Sequence, residues 1–228
     1  MNNVIESPLI SVLLSVYNDD KNIKKSIDSI LSQSYKNIEL LVIDDCSTDK
    51  TFGILKEIKD SRIRIFRNKD NLGLTKSLNI LINKSKGQII ARQDSDDISL
   101  PTRLEVQLNY LNKLRLDGCT SRAYIKNSKR SIPRFSHLLP LGFVIKYKNP
   151  FIHGTLMVRK NAVTDIGMYD ENIEYAQDYK LFIELLKKNY KLKILNKKLY
   201  VLNMENNISS LRREEQKEFF RKIQKESL

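Results

Sequence analysis

The chain has 228 residues, 41% of them hydrophobic, which fits one large domain or two small ones with a proper core. Its 40 basic and 27 acidic residues give a formal net charge of +13, so its partners should be anionic. No run approaches the ~18 apolar residues of a membrane span, and the first seven residues show no signal-peptide pattern. Cys46 and Cys119 indicate neither a zinc site nor a disulfide framework. We therefore expect a cytoplasmic protein.

The first half of the chain alternates apolar runs of strand length with segments of helical periodicity. Each buried strand is followed by a helix, which predicts a doubly wound α/β half-domain. In such a domain, ligands bind beyond the carboxyl ends of the strands. We expect strands at residues 10–16, 38–43, 63–66 (near an edge) and from 88, and helices at 21–32, 51–59, 74–85 and 101–116.

The second half is less regular. Residues 117–140 read as a short strand and a basic loop, and residues 151–158 as a strand interrupted at His153 and Gly154. A turn at 166–170 precedes a helix that begins at Asp178, and a last strand covers 192–195 or 199–202. Residues 211–228 form a basic amphipathic helix that either docks on the domain or lies on an anionic membrane surface.

An acidic run follows the strand that begins at Gln88. Asp94, Asp96 and Asp97 come directly after apolar residues, and carboxylates this close repel one another unless a cation neutralises them. Oxygen ligands favour Mg²⁺ or Mn²⁺. The alternative is that these aspartates cap the helix that follows, with Asp97 the best placed of the three.

Neither a P-loop nor a Gly-x-Gly-x-x-Gly dinucleotide fingerprint occurs in the chain. Five other motifs occur in order: Ser11-Val-Leu-Leu-Ser-Val-Tyr-Asn18, Ser29-Ile-Leu-Ser-Gln-Ser34, Asp44-Asp-Cys-Ser-Thr-Asp49, Asn71-Leu-Gly-Leu74, and Ala91-Arg-Gln-Asp-Ser-Asp-Asp97 with Pro101 and Arg103-Leu-Glu105. Together, these motifs resemble the inverting family-two glycosyltransferases of the GT-A fold. The resemblance covers about residues 8–186.

The resemblance implies a nucleotide-sugar donor, and a uridine sugar in particular, because Asp45 matches the carboxylate that contacts uracil in the family. Asp94-Ser-Asp96 matches the Asp-x-Asp motif, so Asp96 would bind the divalent metal, Mn²⁺ or Mg²⁺, that bridges the two phosphates. Such an ion stabilises the departing diphosphate without proton transfer. The residues expected around the donor are Ser15, Tyr17, Asp45, Asp94 and Ser95, with Lys76 and Arg92 as helpers by charge and position.

Inverting transfer also needs a base for the acceptor hydroxyl. Asp178 matches the second residue of the family's Glu-Asp pair, whose first position is Gln177 here. Without the family match, Asp178 reads as an aspartate favoured by a helix dipole. Asp170 and Glu171 are weaker candidates for the base. His153 and Gly154 resemble the acceptor-side His-Gly segment, although a lone histidine in a strand is more often a core residue.

One segment departs from the family pattern. Many relatives carry an Arg-x-His near the C-terminus, where this chain has Leu202-Asn-Met204. The missing histidine implies weaker metal binding or lower activity. An alternative function therefore stays open, that of a nucleotide-binding or nucleic-acid-binding module with degenerate catalysis. A sugar-nucleotide pyrophosphorylase is a more distant alternative, because no Gly-rich loop follows the first strand.

The sequence predicts one GT-A domain at residues 1–210, with a nucleotide-sugar half at 8–116 and an acceptor half at 117–210, followed by the basic helix at 211–228. The expected fold is a Rossmann-like α/β domain with a mostly parallel central sheet. The expected reaction transfers a sugar with inversion to a saccharide or lipid-linked saccharide in surface polysaccharide synthesis. We expect no nucleic-acid partner, since no nucleic-acid-binding signature accompanies the basic residues, and we expect peripheral association with the inner face of the membrane.

Overall fold

The computed structural model describes residues 7–173, 175–204 and 213–227, with side chains in the last range described from 218 to 225. Within these residues, nine strands form one sheet in the order β3-β2-β1-β4-β8-β6-β9-β5, and β7 pairs with β6. The strands are β1 (Ile10–Val16), β2 (Ile38–Asp44), β3 (Ile63–Arg67), β4 (Ile89–Arg92), β5 (Ile98–Ser99), β6 (Gly118–Ile125), β7 (Ser131–Ile132), β8 (Met157–Arg159) and β9 (Leu192–Leu202).

The first half of the sheet is parallel, as the alternation of strands and helices predicts: β1 pairs in parallel with β2 and β4, and β2 with β3. β3 lies at the edge, as expected from its basic residues. In the second half, β8 runs antiparallel to β4 and β6, while β6 and β9 are parallel. The result is a mixed α/β fold in which one continuous sheet crosses from the first half of the chain to the second.

Helices cover both faces of the sheet, and side-chain alternation along β1 explains why. Leu13 belongs to the apolar core under α3 and α7, whereas Val12 and Leu14 belong to the core under α1 and α4. A strand buried on both faces must be apolar at nearly every position. The helices are α1 (Ile23–Leu31), α2 (Thr51–Glu57), α3 (Leu74–Lys84), α4 (Arg103–Lys113), α5 (Leu141–Val144), α6 (Lys160–Asp165), α7 (Gln177–Lys187) and α8 (Arg213–Ser227).

The second half corrects several sequence predictions. The expected strand at 151–158 is a 3₁₀ turn, His153–Thr155, followed by the short β8. The two ranges predicted as alternatives for the last strand, 192–195 and 199–202, both belong to the continuous strand β9. This strand pairs with the whole of β6 across a bulge at Ser121 to Ala123. The expected short strand in 117–140 is the eight-residue β6. α6 and the two-residue β5 were not predicted, since neither has enough residues to show a period.

The C-terminal helix docks on the domain, the first of the two sequence alternatives. Ile223 of α8 is fully buried in the core, and the ring of Phe220 stacks on Tyr179 at 4.2 Å. The predicted boundary at residues 210 and 211 lies outside the described residues, as does the start of the predicted helix at 211–212. Among the helices in the described ranges, none has the length and apolar character needed to cross a membrane.

Candidate active site

Three loops meet at the carboxyl edge of the parallel strands, because β1, β2 and β4 are neighbours that run in the same direction. The backbone N–H of Asn18 donates to Oγ of Ser47 at 2.9 Å, which joins the loops after β1 and β2. Oγ of Ser95 donates to Oδ2 of Asp19 at 2.7 Å, which joins the loops after β4 and β1. These bonds fix the three loops as one polar crevice.

Asp45 organises one side of this crevice. Its buried carboxylate accepts hydrogen bonds from Nδ2 of Asn68 at 2.7 Å and from the backbone N–H groups of Leu72 and Gly73 at 2.9 and 2.8 Å. Gly73, at φ 83°, has a conformation that favours glycine, and α3 begins at the next residue. Asp45 therefore holds the loop that leads into α3 in place.

The other expected donor residues lie at the same edge. Ser15 is half-buried near the end of β1, and Tyr17 beyond it exposes 49% of its surface. Lys76 is exposed in the first turn of α3, three residues after Gly73. Tyr17 therefore follows β1 at the edge where Asp45 follows β2, and Lys76 lies three residues beyond the bond between Gly73 and Asp45.

Arg92 and Asp94 form a largely buried ion pair at the end of β4. Arg92 is 1% exposed, and one of its guanidinium nitrogens donates to the carbonyl oxygens of Leu13 and Gln93 at 3.0 and 2.8 Å. The other nitrogen pairs with the carboxylate of Asp94. Nε of Arg92 is buried and has no hydrogen-bond partner among the described residues. Arg92, which the sequence predicted as a helper near the donor, therefore positions the carboxylate of Asp94.

Gly154 is placed by the same carboxylate. A Cβ atom at Gly154 would overlap the Asp94 carboxylate and come within 2.6 Å of the Tyr200 hydroxyl oxygen. The backbone N–H of Asp94 donates to that hydroxyl at 3.1 Å. The His153–Thr155 turn and β9 therefore close tightly around the acidic loop, and only glycine fits at this contact.

Asp96 has the properties of a metal ligand with an incomplete protein shell. Burial, and then the charges of Asp94 and Asp19, raise the pKa of Asp96 to about 6. A divalent cation would remove that repulsion, and carboxylate oxygens suit Mg²⁺ or Mn²⁺. Among the described residues, no three His, Cys, Asp or Glu side chains come together as a metal cage. Mg²⁺ often binds through one or two carboxylates with substrate phosphates completing the shell, so the residues present fit such an ion.

Asp97 does not cap the following helix, which corrects that sequence expectation. α4 begins at Arg103, and its N-cap, Thr102, makes no side-chain capping bond. The buried Asp97 carboxylate instead accepts the backbone N–H of Asn203 at 2.6 Å. Burial, together with the nearby Asp94 and Asp96 charges, raises the pKa of Asp97 to about 8. Asp97 thus ties the acidic loop to the end of β9.

Asp178 lies in the first turn of α7 and faces the same cluster. Its Oδ2 accepts a hydrogen bond from Nδ2 of Asn149 at 2.8 Å, and its Oδ1 accepts the backbone N–H of Tyr179 at 2.7 Å. Burial is the main cause that raises the pKa of Asp178 to about 6, and the charge of Asp94 acts in the same direction. The carboxylate of the acidic loop and that of α7 are therefore close enough to interact electrostatically.

His153 is held as a neutral side chain beside them. Burial, followed by the charge of Arg92, lowers the pKa of His153 to about 3. Its Nε2 and the Tyr169 hydroxyl are 2.6 Å apart. A histidine in this state is a poor proton acceptor near neutral pH but a good hydrogen-bonding group. Asp178 is therefore the better candidate for a base. Asp170 and Glu171, the weaker candidates, lie at the turn before α7, where Glu171 accepts Nδ2 of Asn79 at 2.9 Å.

A buried arginine, to which the sequence analysis gave no role, holds the two ends of the acidic loop. Arg103 is fully buried, and it donates to Oε1 of Gln93 at 3.0 Å, to Oγ of Ser99 at 2.6 Å and to the Arg92 carbonyl oxygen. Its guanidinium lies 5.2 Å from the centre of the Tyr200 ring. The only sequence signal was its place in the Arg-Leu-Glu motif. Asn149, Tyr169 and Tyr200 gave no signal at all, since nothing in the sequence links them to the acidic loop.

A mixed α/β sheet with a polar crevice at the carboxyl edge of its parallel strands, and an acidic loop after β4, is the arrangement expected of a nucleotide-sugar transferase. Residues 11–171 match the sequence profile described as glycosyl transferase family 2. EpsE of Bacillus subtilis (strain 168) is 35% identical over 202 residues, which cover 85% of this chain and 72% of EpsE. WfaP of Escherichia coli, a UDP-Glc:α-D-GlcNAc-diphosphoundecaprenol β-1,3-glucosyltransferase, is 31% identical over 191 residues, covering 82% and 74%. The chain belongs to glycosyl transferase family 2.

Solved structures confirm the GT-A fold. S. aureus TarS 1-349 in complex with UDP-GlcNAc superposes with a TM-score of 0.74 at 20% identity, over 87% of this chain and 59% of that one. The mannosyltransferase PcManGT of Pyrobaculum calidifontis, in complex with GDP-Man and Mn²⁺, gives 0.74 at 19% identity over 90% and 60%. The chain thus spans about 60% of these two structures, and at this identity they establish the fold alone. The family and the fold expected from the five motifs are both confirmed.

Proposed function

We propose that this protein transfers one sugar, with inversion, from a UDP-sugar to a lipid-linked saccharide during the synthesis of a surface polysaccharide. The observation that carries the proposal is geometric: the Asp94 carboxylate lies against Gly154, five residues after Asn149, whose side chain hydrogen-bonds to Asp178. Family membership supports glycosyl transfer over the pyrophosphorylase alternative. Support for a UDP donor and a lipid-linked acceptor comes from the relative WfaP, whose name contains both.

The proposed reaction begins with the acceptor hydroxyl beside Asp178. The Asp178 carboxylate accepts the hydroxyl proton as the acceptor oxygen bonds to the anomeric carbon from one face of the sugar. The bond from that carbon to the diphosphate oxygen breaks on the opposite face, and the nucleoside diphosphate leaves with the electron pair. The β linkage in the name of WfaP is the product expected when an α-linked donor reacts with inversion.

Asp94 and Asp96 would act on the donor. Asp96 would hold Mn²⁺ or Mg²⁺ and Asp94, fixed by Arg92, would contact the ribose or the sugar. A bound divalent ion supplies charge neutralisation at the leaving diphosphate. Asp45 would meet the uracil, with Ser15 and Tyr17 beside it, and Lys76 would add positive charge. His153 and Gly154 would shape the acceptor side.

A donor panel tests the proposal. Released nucleoside diphosphate is measured with uridine, guanosine and thymidine sugars, with Mn²⁺ and after chelation, on a panel of lipid-linked saccharides. We expect release from a uridine sugar that requires the metal. Asp96→Asn should lose most metal-dependent donor binding by titration calorimetry, whereas Asp28→Asn, an exposed aspartate on α1, should bind like wild type. Donor binding that persists unchanged without metal would exclude the role of Asp96.

A further inference from the structure

An apolar surface lies on the segment from residue 134 to residue 148, which connects β7 to the His153–Thr155 turn. Of the ten large apolar side chains that are exposed among the described residues, five fall within this segment. Such clustering on one short segment marks an interaction site more often than scattered exposure does. The five, between 51% and 68% exposed, are Phe135, Leu138, Leu139, Phe143 and Tyr147.

The segment is anchored on its inner side, so the exposure is a property of the folded chain. Val144 and Ile145 are buried in the protein. The Tyr179 hydroxyl on α7 donates to the Ile145 carbonyl oxygen at 2.7 Å, and Nε2 of Gln224 on α8 donates to the Lys146 carbonyl oxygen. α7 and α8 therefore hold this segment while its outer side chains remain in solvent.

Basic residues accompany the apolar side chains along this part of the chain. Residues 118–164 contain nine Lys and Arg residues and no Asp or Glu. Arg134, Lys146 and Lys148 are exposed within the apolar segment itself. Beside Phe135, a hollow of about 530 Å³ is lined by Arg122, Arg130, Ser131 and Arg134. The segment thus presents exposed apolar side chains together with exposed basic ones.

An anionic lipid bilayer is the occupant that matches both features. Apolar side chains enter the headgroup boundary by ~5–10 Å, and basic residues around them meet the lipid phosphates. A second copy of the chain is disfavoured because it would bring two basic surfaces together. A nucleic acid is disfavoured because it offers no apolar partner for the aliphatic side chains of Leu138 and Leu139. We propose that residues 134–148 dock this protein on an anionic membrane.

The position of this surface fits the proposed reaction. Asn149, the residue that immediately follows the segment, donates to the carboxylate of Asp178, and His153 lies four residues further on. A membrane bound at this segment would present the saccharide of a lipid-linked acceptor beside the base. This link rests on the proposed function, but membrane binding itself needs neither donor nor acceptor. The α8 helix is a poorer candidate for insertion because Ile223 and Phe220 pack on the core.

Vesicle flotation tests the proposal without any sugar. The protein is floated with vesicles of phosphatidylcholine and phosphatidylglycerol, and with phosphatidylcholine alone, at low and high salt. We expect salt-sensitive binding to the phosphatidylglycerol vesicles only. The pair Leu138→Ser and Phe143→Ser should weaken it at least tenfold, and Lys146→Gln with Lys148→Gln by about fivefold per residue. Leu114→Ser with Lys113→Gln, an exposed pair at the end of α4, should leave binding unchanged.

Three results would overturn the proposal. The first is no flotation of the wild type at low salt, and the second is flotation of the Leu138 and Phe143 variant equal to that of the wild type. The third is a wild-type dimer in sedimentation that is absent in this variant. The last would assign the surface to self-association. The substituted side chains are exposed, so thermal melting should match wild type and confirm folding. Transfer to a water-soluble saccharide should persist in every docking variant. Loss of flotation and loss of transfer are therefore separate failures.

Discussion

Asn149 should set the pH at which the enzyme becomes active. Burial and the charge of Asp94 raise the pKa of Asp178 to about 6, and the Asn149 hydrogen bond opposes them by stabilising the charged carboxylate. A base must be deprotonated to act, and kcat/KM reports the free enzyme. The wild-type profile should therefore fall below about pH 6, approaching tenfold per pH unit.

The 2.8 Å length of this bond and its partly buried position set the size of the effect. A hydrogen bond to a charged group contributes ~1.5–3 kcal/mol, and partial exposure favours the lower end of that range. Since one pKa unit corresponds to ~1.4 kcal/mol, Asn149→Ala should raise the pKa of Asp178 by about one unit. The acidic limb of the profile should move by the same amount to higher pH.

The assay is nucleoside diphosphate release between about pH 4.5 and 9, at low substrate concentration so that the rate reports kcat/KM. Asn172→Ala is the matched control, because among the described residues the Asn172 side chain bonds only to Asp170, in the exposed turn before α7. Its profile should coincide with that of the wild type. A wild-type profile that stays flat to pH 4.5, or an Asn149→Ala limb at the wild-type position, would refute Asp178 as the titrating base.

Two further substitutions test the support of the acidic loop. Gly154→Ala should displace the Asp94 carboxylate and reduce turnover and donor affinity at least tenfold, whereas Gly142→Ala, whose Cβ would meet no atom within 4 Å, should leave both unchanged. Arg103→Met leaves several buried acceptors unpaired at ~1–3 kcal/mol each, so urea unfolding should show a loss of about 3–5 kcal/mol. A loss below ~1 kcal/mol would contradict the structural role of Arg103.

The parallel half of the fold could be predicted because its signals are local and regular. Ile23, Ile27 and Ile30 recur at helical spacing and are all buried, and β2 is apolar at nearly every position. Ligand sites in such sheets follow from topology, so the loops after β1, β2 and β4 could be placed together from the sequence. Patterns that repeat within a dozen residues do not depend on distant partners.

The second half resisted prediction because remote contacts decide it. Asp97 looked like a helix cap, yet its partner, Asn203, is 106 residues away. The two-residue β5 exists only because β9 pairs with it, and no period shows in so short a segment. Asn149 acts on Asp178 through a bond that joins residues 29 positions apart. Side chains whose role depends on a distant contact produce no regular spacing in the sequence, so their role could not be predicted from it.

The transfer rate of Asp178→Asn, measured with a saturating UDP-sugar, tests the central claim most directly. Asparagine keeps the size of the side chain and can still accept the Tyr179 N–H at Oδ1, but it cannot accept the acceptor proton as a base. We predict a loss of about 10²- to 10⁴-fold in rate, with donor affinity within a few fold of wild type. A rate close to that of the wild type would contradict a site in which Asp94 and Asp96 bind the donor and Asp178 is the base.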